Sequence, residues 1–588
     1  MTALLAVAAC GNGWKPVEGR IMTRWADEVD PQNTLGEYPR PSMVRDGQWT
    51  SLNGLWDYAI VPAESPQPAQ WDGRILVPFA PESALSGVGR TVGEENALWY
   101  KTSFKAATGG RQLLHFDAVD WQAEVWVNGI KAGEHSGGYT RFTLDVTPCL
   151  KGSGKQELVV RVLDGTDNGK QPRGKQVREP EGIWYTAVTG IWQSVWTETV
   201  PESYIVRYEA VADVPGSTFT VLPVVEGAQE GDRVEVEADG QVVVTDPDRA
   251  AVIKVQDPKL WTPDDPWLYD IQIRLVRDGK TVDAVKGYSA LRSISAVGEG
   301  RKRMALNGEP LFEFGPLDQG WWPDGLYTAP TDEALVYDIR KTKELGYNMI
   351  RKHIKVEPER WYWWCDKLGM LVWQDMPSMD DNSETRWDAY GYNGVDWAVT
   401  DEARATYFKE WGEIIAQLKN HPSIVVWVPF NEAWAQFETE KAVAFTREQD
   451  PTRLINQSSG GNFVKGCGDI LDVHHYPNAE MPLWEEGMVN VLGEYGGIGY
   501  PVEGHLWQPD RNWGYIEHHS GEQVLAQYRE YAEQLKELIR QGCAAAVYTQ
   551  TTDVEIEVNG LMTYDRALVK MDEKQLADIN RDVIATLQ

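Results

Sequence analysis

A nearly unbroken apolar run in the second half of the chain does most to limit the possible folds. Residues 424–430 read Ile-Val-Val-Trp-Val-Pro-Phe. A strand that faces solvent on one side alternates apolar and polar residues, whereas a strand of a parallel sheet is covered on both faces and reads as a continuous apolar run. The run is far shorter than the roughly 18 apolar residues of a transmembrane helix. It therefore predicts a buried strand of a parallel sheet.

Similar strands alternate with helical segments from residue 298 to the end of the chain. The clearest unit has a strand over 310–314, a helix that Thr331 can cap, and a turn at Gly346 before a strand over 348–354. Further strands are predicted over 370–374, 471–474, 489–493 and 544–548, and further helices over 358–368 and 522–540. About 280 residues of strand–helix units match a (β/α)₈ barrel, which we predict over 298–588.

The first half of the chain has a different pattern, in which short strands are separated by turn residues. Asn128-Gly129 lies between two alternating runs and predicts a β-hairpin, because both residues tolerate positive φ. Strand candidates continue to residue 200, and the all-β stretch over 201–297 has the length of one immunoglobulin-like sandwich. We predict two β-sandwiches, over 21–200 and 201–297, before the barrel.

Charge and cysteine content exclude several classes of protein. The 588 residues include 56 basic and 88 acidic side chains, a formal charge of −32. Such a chain repels a phosphate backbone, so we expect no nucleic-acid partner, and a highly anionic polymer is disfavoured as substrate. Five scattered cysteines provide neither a disulfide framework nor the spacing of zinc ligands. We expect no cofactor and no metal site, and the sequence does not indicate the oligomeric state.

The first ten residues predict a cellular location. Residues 1–9 are small or apolar, and Val7-Ala8-Ala9-Cys10 resembles the lipobox that ends a bacterial lipoprotein signal. Cys10 would then be lipidated, residues 1–20 would form the signal and a linker, and the protein would be anchored in the bacterial periplasm or cell envelope. The positively charged start of a signal is missing, so an unprocessed hydrophobic N-terminus is the alternative.

Two strands of the predicted barrel end in a glutamate. Glu432 follows the apolar run over 424–430 closely, and Glu494 follows the apolar stretch 489–493. The carboxyl ends of the strands form the active face of a (β/α)₈ barrel. Cleavage of a glycosidic bond by double displacement requires two carboxyl groups, one to protonate the leaving oxygen and one to attack the anomeric carbon. The pair therefore predicts a retaining glycosidase.

The residues around both glutamates resemble a known family. Pro429-Phe430-Asn431-Glu432-Ala433-Trp434 is similar to the acid/base motif of glycoside hydrolase family 2, and Gly493-Glu494-Tyr495-Gly496-Gly497 is similar to its nucleophile segment. The resemblance extends to Asn53-Gly54-Leu55-Trp56, Val125-Trp126-Val127-Asn128-Gly129, Gly190-Ile191-Trp192 and Leu260-Trp261-Thr262-Pro263. It implies a jelly-roll sugar-binding domain over 21–200, an immunoglobulin-like domain over 201–297 and a catalytic barrel over 298–588.

The resemblance also implies a role for the residues of the two motifs. Asn431 would hydrogen-bond the 2-hydroxyl of the substrate, Glu432 would be the general acid/base, and Glu494 would be the nucleophile. We expect the pKa of Glu432 to be raised while Glu494 is ionised. We also expect the carboxyl groups to lie about 5–5.5 Å apart, as in retaining enzymes, rather than about 6.5–9.5 Å.

Other residues near strand ends are expected to bind the sugar or to support the nucleophile. By the resemblance, Arg351 would brace Glu494 and Tyr476 would hold it. His353 lies one position earlier than the family's histidine, so a packed side chain and a sugar contact are equally plausible roles for it. The other expected substrate-binding residues are Asp318, Asp375 and His475, with Trp434 or Tyr548 as an aromatic platform for the sugar.

These features predict an enzyme whose partner is a carbohydrate. We expect a retaining exo-β-glycosidase that releases terminal sugars from oligo- or polysaccharides, with β-galactosides as the first choice of substrate. β-Glucuronidase or β-mannosidase activity is the enzymatic alternative; a clear uronate-binding motif is missing, and the charge of −32 also argues against a glucuronide. A lipid-anchored glycan-binding protein without catalysis is the alternative from another class, and the presence of both Glu432 and Glu494 argues against it.

Overall fold

Two antiparallel β-sandwiches and a parallel barrel follow one another along the chain, as the sequence predicts. The computed structural model describes residues 13–47, 49–379 and 395–587. Cys10, with the lipidation expected there, lies outside these ranges. Within them, no helix is both long and apolar enough to cross a membrane.

Eight parallel strands, β1 to β8, form the barrel. Their bounds are Glu313–Asp318, Met349–Lys352, Leu371–Asp375, Ile424–Val428, Leu454–Ile455, Ile470–His475, Val489–Gly496 and Cys543–Thr549. They are hydrogen-bonded in the order β5-β4-β3-β2-β1-β8-β7-β6. A parallel bridge between Asn456 and Ile470 joins the β5 and β6 edges. All strand residues are buried except the last two of β6, which explains why these strands read as apolar runs.

Helices pack around the outside of this barrel. Among the described residues the α-helices, α1 to α6, are Asp332–Glu344, Glu359–Leu368, Asp401–Leu418, Thr439–Gln449, Gly521–Gln541 and Glu573–Ala585. The predicted cap of α1 is present: the Thr331 side chain accepts a hydrogen bond from the backbone N–H of Ala334. Gly369 ends α2 in the left-handed conformation, with φ of 70°. Caps and burial together set where these helices begin and end.

The observed elements differ from the sequence prediction in two respects. The first barrel strand is Glu313–Asp318 rather than 310–314, because Glu309–Pro310 pairs with Arg303–Leu306 in a separate three-stranded sheet. The sequence pattern does not predict β5, α4 or α6. With only two residues, β5 is too short to display a periodicity.

The two sandwiches are built from alternating strands. In the first sandwich, one sheet contains Phe142–Asp145, Arg111–Phe116, Val195–Val200 and Trp49–Ser51, and the other contains Gly73–Val77, Gly54–Pro62, Asn96–Ala106, Gly154–Leu163, Gln122–Val127 and Ile130–Ser136. In the second, the sheets contain Met43–Val44, Lys280–Ser289, Tyr269–Arg277, Arg233–Ala238 and Gln241–Thr245, and Tyr204–Asp213, Thr218–Glu226 and Ala251–Lys254. Each sandwich buries its own apolar core.

A segment of the first sandwich reaches the barrel rim where the strands end. The backbone N–H groups of Arg173 and Gly174 donate to the carbonyl of Ser378 at 2.9 and 3.0 Å. Ser378 follows β3, so this contact places residues 173–186 beside the carboxyl ends of the strands. The first sandwich therefore contributes to the wall of the barrel face.

A buried arginine joins the two sandwiches. The Arg45 guanidinium donates to Glu198 Oε2 at 2.6 Å and to both Asp283 carboxylate oxygens at 3.0 Å. Glu198 belongs to the first sandwich and Asp283 to the second. Because all three side chains are nearly buried, the ion pairs are poorly screened by solvent.

We expect Arg45→Met to lower the free energy of unfolding by about 3–5 kcal/mol, because it leaves buried carboxylates without their cation. The apparent Tm measured by calorimetry should fall accordingly. Arg207→Met is the matched control, since Arg207 pairs with Glu209 while more than half exposed. If both variants melt at the same temperature, Arg45 does not link the sandwiches energetically.

Candidate active site

Glu432 lies just beyond β4, in a strained stretch of backbone. Glu432 and Ala433 have φ of 50° and 60°, in the left-handed region that residues with a side chain rarely adopt. The Glu432 N–H donates to the Ser459 carbonyl at 2.8 Å, and the Ser459 N–H donates to the Phe430 carbonyl at 2.9 Å. The segment after β5 thus holds the unusual turn that directs Glu432. Backbone strain of this kind is concentrated at functional sites.

Glu494 lies within β7 and has a partner for each carboxylate oxygen. Arg351 Nη1 donates to Oε1 at 3.1 Å, and the Tyr476 hydroxyl donates to Oε2 at 2.6 Å. Tyr476 also hydrogen-bonds the Thr549 hydroxyl at 2.7 Å and stacks on Tyr515, with ring centroids 3.7 Å apart. These contacts fix the orientation of the carboxylate.

Arg351 is the centre of a buried network. Its Nε and Nη2 donate to the two oxygens of Asp375 at 3.1 and 2.8 Å, and Nη2 also donates to Asn431 Oδ1 at 2.7 Å. Burial lowers the pKa of Arg351, but the charges of Asp375 and Glu494 outweigh burial and raise it. The guanidinium therefore stays charged beside Glu494.

Within the described residues, only one of the two polar atoms of the Asn431 side-chain amide is hydrogen-bonded. Its Oδ1 accepts from Arg351, which fixes the orientation of the group. Among the described residues, its buried Nδ2 has no hydrogen-bond partner. A buried donor of this kind carries an energetic cost until a ligand accepts its hydrogen bond.

His474, which the sequence analysis did not assign to the site, lies between the two glutamates. Its Nδ1 is 2.9 Å from Glu432 Oε1 and 3.5 Å from Glu494 Oε2, and its Nε2 is 2.8 Å from the Ser459 hydroxyl. Burial lowers the pKa of His474, but the charge of Glu494 and the hydrogen bond to Glu432 raise it above the ordinary value. The contact with Glu432 thus favours the charged imidazolium form of His474.

The pKa of Glu432 departs from the expectation. Burial raises it, but the hydrogen bond and charge of His474 lower it more, and the net direction is downward. Sequence reasoning considered only the charge of Glu494 and missed the histidine. Two groups that interact this closely titrate as a pair rather than independently.

The two carboxylates approach each other closely. One oxygen of Glu432, one oxygen of Glu494 and one nitrogen of His474 all lie within 4.8 Å of one another. These three side chains would also be the ligands of a metal ion if one bound at this face. An ion there would occupy both carboxylates, so we interpret the trio as an acid/base pair with a nucleophile.

Three expected sugar contacts point away from this site. Asp318 accepts from Lys352 Nζ at 2.8 Å and belongs to the outer face of the barrel. His475 Nδ1 is 3.1 Å from the Asn478 carbonyl, and Tyr548 packs among Tyr495 and Tyr528 in the core outside the strands. Successive side chains of a strand face opposite sides. The inward positions are held by their neighbours, such as His474 and Thr549.

His353 and Asp375 face the barrel interior but bind protein groups. His353 Nδ1 is 3.0 Å from Asp375 Oδ2, and that oxygen also accepts from Arg351. Burial lowers the pKa of His353 well below its usual value, so the ring is neutral. Burial raises the pKa of Asp375 to about 6, although Arg351 opposes the shift. Both residues position Arg351.

Aromatic rings line one side of the site. Trp434 is 8% exposed and packs against Trp184 of the first sandwich, with ring centroids 4.8 Å apart. Trp184 had no functional prediction, because nothing near it in the sequence indicates that it reaches the barrel. Such rings can pack against the apolar face of a sugar.

Comparison with protein families matches all three units of the chain. Residues 328–573 match the TIM barrel domain of glycosyl hydrolases family 2, residues 197–292 match a further domain of glycosyl hydrolases family 2, and residues 78–190 match the family's galactose-binding domain-like model. The chain belongs to glycoside hydrolase family 2. The resemblance seen in the sequence is confirmed at the level of the family.

Named relatives include two kinds of glycosidase. A putative β-glucuronidase of Formosa agariphila is 28% identical over 62% of this chain and 34% of its own length. The β-galactosidase BoGH2A of Bacteroides ovatus is 27% identical over 76% of this chain and 59% of its own length. The chain thus spans about a third to three-fifths of these two relatives.

A solved structure confirms the fold. The β-D-glucuronidase of Dictyoglomus thermophilum has a TM-score of 0.71 and 18% identity to this chain, covering 92% of this chain and 98% of its own. At this identity the likeness concerns the arrangement of the two sandwiches and the barrel.

The protonation of His474 can be observed directly. The chain has nine histidines, and His474→Gln would identify the His474 signal in ¹⁵N NMR spectra of labelled protein. We expect His474 to stay protonated above the ordinary histidine pKa of about 6.5 and to lose its proton as pH rises through the raised value.

In Glu432→Gln, the midpoint for His474 should move to lower pH, because the neutral amide no longer stabilises the imidazolium. Glu480→Gln is the matched control, since that exposed glutamate lies near His475 instead. An unchanged midpoint in Glu432→Gln would show that Glu432 does not favour the imidazolium form of His474.

Proposed function

We propose that the protein is a retaining exo-β-glycosidase with Glu432 as general acid/base and Glu494 as nucleophile. The observation that best supports this is the short distance between the two carboxylates. One oxygen of Glu432 lies within 4.8 Å of one oxygen of Glu494. Retaining enzymes hold the carboxyl groups about 5–5.5 Å apart, whereas inverting enzymes keep about 6.5–9.5 Å to admit a water molecule. The close spacing favours double displacement.

In the first step, Glu494 attacks the anomeric carbon while the leaving oxygen takes a proton. Tyr476 and Arg351 orient the attacking carboxylate. The proton comes from the Glu432–His474 pair, through Glu432. The glycosidic bond breaks as the new ester bond to Glu494 forms, and a covalent glycosyl-enzyme results.

In the second step, water replaces Glu494 at the anomeric carbon. Formation of the ester removes the charge of Glu494. Beside the ester, Glu432 is left as the anion and His474 as a neutral base. Glu432 accepts a proton from the attacking water, and the sugar leaves with its original configuration. The Nδ2 donor of Asn431, which has no partner among the described residues, is suited to the 2-hydroxyl of the sugar.

The terminal sugar is a galactose or a glucuronic acid. The sequence favoured a β-galactoside, and the named relatives include both a β-galactosidase and a putative β-glucuronidase. These names support the two sugars equally. Selection between galactose and glucuronic acid depends on residues other than Glu432 and Glu494.

The test uses 4-nitrophenyl β-glycosides of galactose, glucuronic acid and mannose with wild type, Glu432→Ala and Glu494→Ala. We expect both variants to lose roughly 10³-fold or more of the wild-type turnover. Azide should restore Glu494→Ala with an α-glycosyl azide as product, and Glu432→Ala with a β-glycosyl azide, because azide replaces a different group in each.

Glu480→Ala is the control, since this exposed glutamate lies outside the pair and should keep full turnover. The reverse product pattern would mean that the two roles are exchanged. Absence of wild-type turnover on every sugar would favour the non-catalytic glycan-binding alternative.

We also propose that the protein is lipid-anchored in the bacterial cell envelope through Cys10. The support is the lipobox-like sequence before that cysteine. Cells expressing wild type should incorporate labelled palmitate into the protein, and Cys10→Ala should not. Labelling that persists in Cys10→Ala would reject the anchor.

A further inference from the structure

A segment of the first sandwich is built tightly against the barrel face. The N–H groups of Arg173 and Gly174 donate to the Ser378 carbonyl, and Gly174 has φ of 64°. A Cβ atom at Gly174 would lie 2.8 Å from the Tyr327 hydroxyl and 2.8 Å from the Ile354 carbonyl. Only glycine permits this approach, so the next residue is carried to the rim of the barrel.

That residue is Lys175, and its backbone is fixed on both sides. The Tyr185 N–H donates to the Lys175 carbonyl at 2.9 Å, and Gln176–Val177 pairs in parallel with Tyr185–Thr186. The Gln176 side chain donates to Asp120 at 2.8 Å. The position of Lys175 is therefore determined by the fold of the first sandwich.

The ammonium group of Lys175 lies beside the catalytic residues. The side chain is 6% exposed, and Nζ is 6.0 Å from the ring centroid of Trp434 and 5.7 Å from that of Tyr185. Trp434 follows Glu432 by two residues. The charge of Lys175 also opposes the rise that burial causes in the pKa of Glu557, and it lowers the pKa of Glu432 behind His474.

Lys175 differs from the other buried lysines of the described chain. Lys352 is 2.8 Å from Asp318, Lys355 is 2.9 Å from Glu357, and Lys570 is 2.5 Å from Asp553. Lys175 Nζ has no hydrogen bond and no carboxylate oxygen within 4.0 Å among the described residues. The charge of Lys175 acts on Glu432 and Glu557 only from a distance, so the ammonium group can donate a direct hydrogen bond to an anionic ligand.

We propose that Lys175, contributed by the first sandwich, selects a terminal sugar that carries an anionic substituent, either a uronate carboxylate or a sulfate ester. The inference rests on the proposed glycosidase function and names its substrate class. A charge-assisted hydrogen bond to an anion is roughly twice as strong as one to a neutral hydroxyl. Since the whole chain carries a charge of −32, an anionic sugar needs a local cation to bind.

An anionic sugar differs from the neutral galactoside that the sequence favours. That preference rests on the charge of −32 and on the missing uronate-binding motif. A lysine from another domain supplies the missing charge without any signal in the barrel sequence.

The test compares sugars that differ only at carbon 6. We measure kcat/KM for 4-nitrophenyl β-galactoside, its 6-sulfate and β-galacturonide, and for β-glucoside and β-glucuronide, with wild type and Lys175→Met. Wild type should prefer an acidic member of a pair. The ratio of acidic to neutral substrate should fall roughly 10- to 150-fold in Lys175→Met, the range expected for a hydrogen bond to a charged group, and Lys175→Arg should restore part of it.

Lys101→Met is the matched control. Lys101 lies in the same sandwich, also near an indole ring, but it pairs with Glu157 on the surface. This variant should keep the wild-type ratio. Preference for the uronide identifies a carboxylate as the ligand, and preference for the 6-sulfate identifies a sulfate ester.

Binding of free galacturonate, glucuronate, galactose 6-sulfate and galactose, measured by calorimetry, separates this inference from the catalytic proposal. Tighter binding of an acidic sugar that is lost in Lys175→Met supports the inference even if no glycoside is cleaved. Equal losses on acidic and neutral sugars would instead assign Lys175 to tuning Glu432. Equal binding of acidic and neutral sugars by wild type would overturn the inference.

Discussion

The active face depends on one buried cation. Arg351 on β2 binds Asp375 on β3, Asn431 after β4 and Glu494 on β7, so a single guanidinium fixes groups from three other parts of the barrel. Taking this charge out of water costs several kcal/mol, and only the full set of acceptors offsets that cost. Glu494, the Asn431 amide and Asp375 are therefore positioned together.

His474 and Glu432 form a second, smaller unit. His474 approaches both glutamates, and against the effect of burial its hydrogen bond and charge lower the pKa of Glu432. Sequence reasoning treated the acid as one carboxyl group with a raised pKa. In the folded protein a buried imidazole lies 2.9 Å from that carboxylate, and the pKa of each group depends on the other.

Much of the architecture follows from the sequence, because buried parallel strands must be apolar and their ends must carry the chemistry. Glu432 and Glu494 could be found this way, as could Arg351. The sequence prediction chose the wrong one of two neighbouring residues at two strand ends, where the alternation of side chains along the strand decides which residue faces the barrel interior. On β6 the polar Asp472 and His474 alternate with Leu471 and Val473 of the outer core, and reading that alternation would have selected His474 over His475. The same reasoning selects Thr549 over Tyr548 on β8.

Lys175 and Trp184 lie some 250 residues before Glu432 in the chain, and only the docking of two domains brings them near it.

The glycine at position 174 has an effect that extends beyond its own turn. It lets one domain touch the rim of another, so that residues of two domains lie at one site. Under the functions proposed above, the barrel breaks the bond and the sandwich selects the sugar. Substitutions in this buried segment of the sandwich can then change the accepted substrate while every strand of the barrel stays the same. Within such an architecture, new substrate preferences can evolve without rebuilding the catalytic machinery.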